Sequence, residues 1–204
     1  MTTIGKVQTG MTSDLVAHFK GHRGVLDAAQ TAIGAAVDRA GDALLVALRD
    51  GRHVYSFGNG GSATQASHFA GELAGRYKLD RAPLAAISLV SDAGTMTCIA
   101  NDYGFAAVFE RQIEALAGSG DVAVAFTTSG RSENVIRGLR AATARGAVTI
   151  ALTGSVGLAG TEVDHLIAVP SAETAYVQEL HLMVLHVWCL AVDREFAGTV
   201  AGKG

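Results

Sequence analysis

The chain has 204 residues, 49% hydrophobic and 17% charged, with a net charge of −3. That length suits one domain burying roughly 70% of its unfolded surface, and the apolar balance excludes intrinsic disorder. No Lys/Arg block is present, which speaks against nucleic-acid wrapping, and no apolar run reaches the ~18 residues of a membrane span. So little charge also suggests that part of the surface is covered by another copy. Cys98 and Cys189 lie too far apart in sequence for a disulfide framework or zinc knuckle and are expected to be reduced core thiols. Residues 1–10 lack a basic segment followed by an apolar core, so no signal peptide is expected and the location expected is cytoplasmic.

Two N-terminal helices are predicted first. Leu15, Val16 and Phe19 form a short amphipathic pattern, and Val25 to Leu48 repeats close to 3.6 residues. His53 to Phe57 reads as a buried strand broken by Gly58-Asn59-Gly60-Gly61, after which Ser62 caps a helix to about Tyr77. Leu84 to Leu89 is the next strand. Ser91 or Asp92 caps a helix to about Ala100, Asn101 to Gly104 is a loop, and Phe105 to Leu116 is helical. Asp121 to Phe126 is the third strand and Thr127 to Arg131 its loop, followed by a helix from Ser132 to Arg145. Ala147 to Leu152 and His165 to Val169 complete the strands, and Glu173 to about Phe196 is a long closing helix. Residues 1–10 and 197–204 are expected to be frayed ends of a single domain whose core runs from about 28 to 196.

Five short apolar strands separated by helices imply a parallel sheet covered on both faces, an α/β three-layer sandwich. Ligands of such sheets bind beyond the carboxyl ends of the strands. The loops after strands one and three are therefore the places to look. Gly58 to Ser62 offers closely approachable backbone N–H groups at a helix start. A nicotinamide fingerprint would need an acidic residue about 20 positions on, and Asp92 comes too late. A Walker loop is excluded because no Gly-Lys-Ser/Thr follows. Thr127-Thr128-Ser129-Gly130-Arg131-Ser132 brings hydroxyls to a second helix start. Two such loops on one sheet edge favour a phosphorylated ligand.

His68 and Glu72 stand four apart, on one helix face, a spacing that serves acid–base pairs and metal ligands alike. The closing helix carries Gln178, Glu179, His181 and His186 among apolar neighbours, so it is expected to be buried nearly all round. From spacing alone both of its histidines read as core residues.

Taken together, Gly58-Asn-Gly-Gly-Ser62, His68-Phe-Ala-x-Glu72-Leu, Gly75-Arg-Tyr77, Asn101-Asp-Tyr-Gly104, the Thr127 to Ser132 run, Leu152-Thr-Gly154 and Gln178-Glu-x-His181 through His186 resemble the phosphoheptose isomerases, built on the sugar isomerase (SIS) domain. The resemblance spans about Ala28 to Asp193. It implies a five-stranded flavodoxin-like sheet and a homotetramer with active sites between subunits, the long C-terminal helix lying in the interface. The implied reaction interconverts D-sedoheptulose 7-phosphate and D-glycero-D-manno-heptose 7-phosphate. On matching positions, Asn59, Gly60, Gly61, Ser62, Glu72, Arg76, Asn101, Asp102, Thr127, Thr128, Ser129, Ser132 and Gln178 would contact substrate. Glu72 and His186 would be the catalytic acid–base pair, and His68, Glu72, Gln178 and His186 would bind one zinc per subunit. A close relative is a non-catalytic adaptor for the bacterial replication initiator, which supplies the alternative reading. Thr174-Ala175-Tyr176 stand where many relatives carry an acidic residue or arginine before the glutamine.

The chemistry agrees with this resemblance. Ketose–aldose isomerisation moves a proton between adjacent carbons through an enediol. A carboxylate takes the proton from carbon, an imidazole serves the oxygens, and a metal would polarise the carbonyl. Gln178 and His186 are about 12 Å apart along one helix and roughly 80° around it. One ion would be hard to reach from both, so the site is expected to mix residues of two protomers.

Overall fold

The structure, a computed structural model, describes residues 10–198. The expectations for residues 1–9 and 199–204 lie outside the described residues.

Five parallel strands form one sheet in the order β2-β1-β3-β4-β5. They are β1 (Val54–Gly58), β2 (Ala86–Ser88), β3 (Val122–Thr127), β4 (Val148–Thr153) and β5 (His165–Ala168). The order reverses direction between β1 and β3, so their C-terminal loops flank the switch-point crevice, as in other flavodoxin-like sheets.

The helices are α1 (Met11–Arg49), α2 (Gly61–Ala74), α3 (Ala93–Tyr103), α4 (Glu110–Leu116), α5 (Glu133–Ala144) and α6 (Thr174–Phe196). On one sheet face α1, α2 and α6 bury Leu44, Phe69, Leu73 and Trp188 against Val124, Phe126, Ile150 and Leu152. On the other, α4 and α5 bring Phe109, Ile113 and Leu139 against Phe57, Ala123, Ala125 and Ala151. β3 alternates Val and Phe toward the first face with Ala toward the second, and the small side lets α5 come close. A methyl group on Gly138 of α5 would already stand 3.0 Å from both Phe57 and Phe109.

Several expected boundaries move, each for a physical reason. The two N-terminal helices are one 39-residue helix. The polar, glycine-containing stretch around Gly21-His22-Arg23-Gly24 reads as a break, yet glycine costs a helix only about 1 kcal/mol. α2 begins at Gly61, with Gly60 rather than Ser62 at the cap position. It ends at Ala74 rather than Tyr77, where the Arg81 guanidinium takes over its last carbonyls, donating to those of Glu72 at 2.6 Å and Leu73 at 2.8 Å. Asn101-Asp102-Tyr103 is the last turn of α3, stopped by Gly104 at φ 84°, and not a loop. Phe105 to Leu116 is a 3-10 turn and then α4. Cys98 is exposed, whereas Cys189 is buried and its thiol is pushed up to about 12 by that burial.

α6 reaches a mean hydropathy of 1.4, so by length and composition it would pass as a membrane span, against the expectation from the sequence. In the fold it is a core helix that packs on α1 and α2 and buries Val177, Leu180, Leu185, Trp188 and Val192.

At its C-terminal end α6 places Asp193 in a fully buried pair with Arg81, 3.0 Å apart. Burial works against the Asp193 charge, but N–H groups of Leu79 and Lys78 and the Arg81 guanidinium outweigh it and hold the carboxyl below its ordinary value. Removing one partner of such a pair leaves a buried uncompensated charge. Asp193→Ala is therefore expected to destabilise the chain by about 3–5 kcal/mol, read as a drop in the midpoint of urea unfolding, with Asp193→Asn losing less.

Candidate active site

The crevice between the β1 and β3 loops holds a cavity of about 230 Å³, lined by Asn59, Ser62, Thr127, Thr128, Ser129, Ser132, Thr174 and Gln178 among others. Three helices begin here: α2 after Gly60, α5 after Ser132 and α6 after Glu173. None of the three has a side-chain capping hydrogen bond. The first N–H groups of a helix have no partner inside it, and its N-terminus carries about half a positive charge. Three uncapped N-termini on one small cavity make an anion site that needs no lysine or arginine in its lining. Ser132 stands at its helix cap position without bonding there, so its hydroxyl is not spent on holding the turn.

The loops are fixed by their own contacts. Asn59 and Asn134 exchange two amide hydrogen bonds, at 2.8 and 2.9 Å, tying the first loop to α5. Gly60 adopts φ 56°, ψ −124°, a conformation closed to most residues. Thr127 Oγ1 accepts from the Gly130 N–H at 3.2 Å. The Gln178 amide lies against the backbone of Gly61, where an added methyl group would stand 2.4 Å from Nε2. Gln65 Nε2 donates to the Gln178 carbonyl at 2.6 Å.

α2 and α6 pack side by side, both running away from the cavity. His68 and Glu72 are about 10 and 16 Å beyond Gly61 along α2, and His186 is about 12 Å beyond Gln178 along α6. His68 Nε2 and Glu72 Oε1 are 2.8 Å apart. The His186 ring meets His68 edge-on at 5.1 Å and stacks on Tyr77 at 5.1 Å. Burial, then the neighbouring His68, lower the His186 pKa, and the opposing pull of Glu72 does not restore it. This favours neutral imidazole, able to accept a proton.

The structure thus brings together Asn59, Gly60, Gly61, Ser62, Thr127, Thr128, Ser129, Ser132 and Gln178 at one end, and His68, Glu72 and His186 at the other. Gln178 sits at the cavity, away from the three residues with which it would share zinc. Arg76 lies on the surface in an exposed pair with Asp80. Asn101 and Asp102 are exposed on α3, bonded to each other at 2.7 Å. α3 packs with the opposite core cluster, so these two stand apart from Glu72 and His186 within the chain. His181 is the core residue its spacing suggests: fully buried, with Nε2 3.2 Å from the Thr153 carbonyl oxygen. Thr174 and Tyr77 received no role from the sequence; the fold sets Thr174 in the cavity lining and stacks Tyr77 on His186. His18, His22 and Glu179 form a group of possible metal ligands, with donor atoms within 4.8 Å of one another.

Residues 17–154 match the SIS domain family. A phosphoheptose isomerase of Aquifex aeolicus is 52% identical over 158 residues, covering 77% of this chain and 82% of that protein. One from Geobacter metallireducens is 41% identical over 187 residues, covering 90% and 98%. Among solved structures, a phosphoheptose isomerase from Francisella tularensis gives a TM-score of 0.86 at 32% identity, over 90% of this chain and 98% of that one. The chain belongs to the phosphoheptose isomerase family of SIS-domain proteins. These relatives are named for an aldose–ketose isomerase, and the adaptor alternative finds no support among them.

Within this isomerase fold, His181 gives a pH test. Burial lowers its pKa from 6.5 to about 4. Its neutral form fits the core, so the related stability is complete above pH 6.5 and is lost as pH falls toward 4. The interval corresponds to about 3 kcal/mol. Urea unfolding between pH 5 and 7 is expected to show a weaker pH dependence in His181→Gln than in the unsubstituted protein.

Proposed function

We propose that this protein interconverts D-sedoheptulose 7-phosphate and D-glycero-D-manno-heptose 7-phosphate by proton transfer through an enediol. The observation that carries this reading is a cavity with three uncapped helix starts, joined along α2 and α6 to a carboxylate and a neutral imidazole. The phosphate binds at the helix starts and the hydroxyls of Thr127, Thr128, Ser129 and Ser132. The carbon chain then extends along the two helices. Binding energy from the remote phosphate orients the reacting end. Glu72 takes the proton from the carbon beside the carbonyl and returns it to the neighbouring carbon. His186 moves the proton between the two oxygens.

His68, Glu72 and His186 supply imidazole and carboxylate donors suited to zinc and would hold the ion, with a Gln178 amide joining them only from another protomer. When bound, zinc polarises a carbonyl oxygen. His68 also holds Glu72 in place through their hydrogen bond.

The working form in this reading is a homotetramer in the cytoplasm, with Asn101, Asp102 and Arg76 reaching the site of a neighbouring protomer. Their exposure supports this, as do the exposed Met183 and Val187 beside an apolar groove between α1 and α6.

Incubation of the purified protein with sedoheptulose 7-phosphate, following the aldose by NMR, tests the proposal. Acid–base groups contribute about 10²–10⁴-fold, so Glu72→Gln and His186→Asn are each expected to lose that much kcat while still binding the sugar phosphate. An unchanged ketose with wild-type protein and added zinc would overturn the assignment, as would full turnover by Glu72→Gln.

A further inference from the structure

We infer that His18, His22 and Glu179 form a binding site for a zinc-class divalent cation, separate from the acid–base group. His18 and His22 stand four apart on α1, so their rings share one helix face. Glu179 comes from α6, more than 150 residues later, and places one carboxylate oxygen on each imidazole. His18 Nε2 lies 2.7 Å from Oε1, and His22 Nδ1 contacts Oε2. Among the described residues, Glu179 pairs with these two imidazoles and with no lysine or arginine.

The donor set is two imidazoles and one carboxylate, a combination that binds zinc with the fourth position left to water. All three donor atoms lie within 4.8 Å of one another. Tetrahedral zinc with bonds of about 2.0–2.1 Å places its ligands roughly 3.3 Å apart, within reach of small side-chain rotations.

The surroundings are built for this grouping. Tyr176 packs its ring 4.8 Å from His18 and 5.7 Å from His22, walling one side. Gly21 makes room for it, since an added methyl group would stand 2.3 Å from the Tyr176 hydroxyl. The glycine lies between the two histidines in sequence.

The site also falls where the fold lacks other support. The buried residues of α1 begin only at Ala29, so its first five turns have little core to hold them. An ion there would join this end of α1 to the start of α6, directly after Gln178.

The test is zinc binding by the full chain after chelator treatment, measured by elemental analysis once free ion is removed. His68→Ala/His186→Ala is expected to retain one zinc per chain, and its Tm is expected to rise on adding zinc. His18→Gln/His22→Gln keeps side chains able to donate to Glu179 but removes the imidazole ligands, and is expected to bind one zinc fewer than wild type. If the acid–base group takes no zinc, wild type and His68→Ala/His186→Ala still hold the same single ion, which supports this site alone. Equal zinc content in wild type and His18→Gln/His22→Gln would overturn the inference. So would an absence of zinc in His68→Ala/His186→Ala with its fold retained by circular dichroism.

Discussion

The register between α2 and α6 is the constraint on which the site depends. At one end, the Arg81 guanidinium bonds Asp193 of α6 and the carbonyl of Glu72 at the same time. At the other, Gln65 and Gly61 of α2 hold Gln178 of α6. A helix fixed at both ends cannot slide by a turn, which would be about 5.4 Å. Glu72 therefore stays level with His186, and the start of α2 stays level with the start of α6. The Arg81–Asp193 pair is costly to desolvate, and its geometry is satisfied by several further hydrogen bonds.

Under the proposed function, that arrangement divides the labour between backbone and side chains. Binding at the switch point falls to peptide groups and hydroxyls, supplied by three helix starts. Chemistry falls to side chains two to three turns farther along the same helices. One pair of helices carries both ends, so the distance from the anion to the reacting carbons is set by helix rise and not by a mobile loop.

Much of this was legible in the sequence. β1 and β3 are continuous apolar runs that can only be central strands, and glycine and hydroxyl residues at their ends mark the crevice. The pair His68 and Glu72 was legible because the contact is local. What was not legible depends on partners far along the chain. Tyr77 stacks on a histidine over 100 residues away, and the role of His18 and His22 depends on Glu179. The unbroken α1 was hidden by Gly21 and Gly24, of which only Gly21 faces the phenol of Tyr176. Asn101 and Asp102 were named by motif, yet the fold sets them on the far face of the sheet from Glu72 and His186.

Peptide N–H groups have no proton to release across the physiological range, so the host side of the crevice presents the same field in mild acid as in mild base. The guest is different: a phosphate monoester takes up its second proton near pH 6. Under the proposed function, acidification therefore loosens retention by lowering the phosphate's charge from −2 toward −1, while the helix starts that grip it remain electrostatically unaltered.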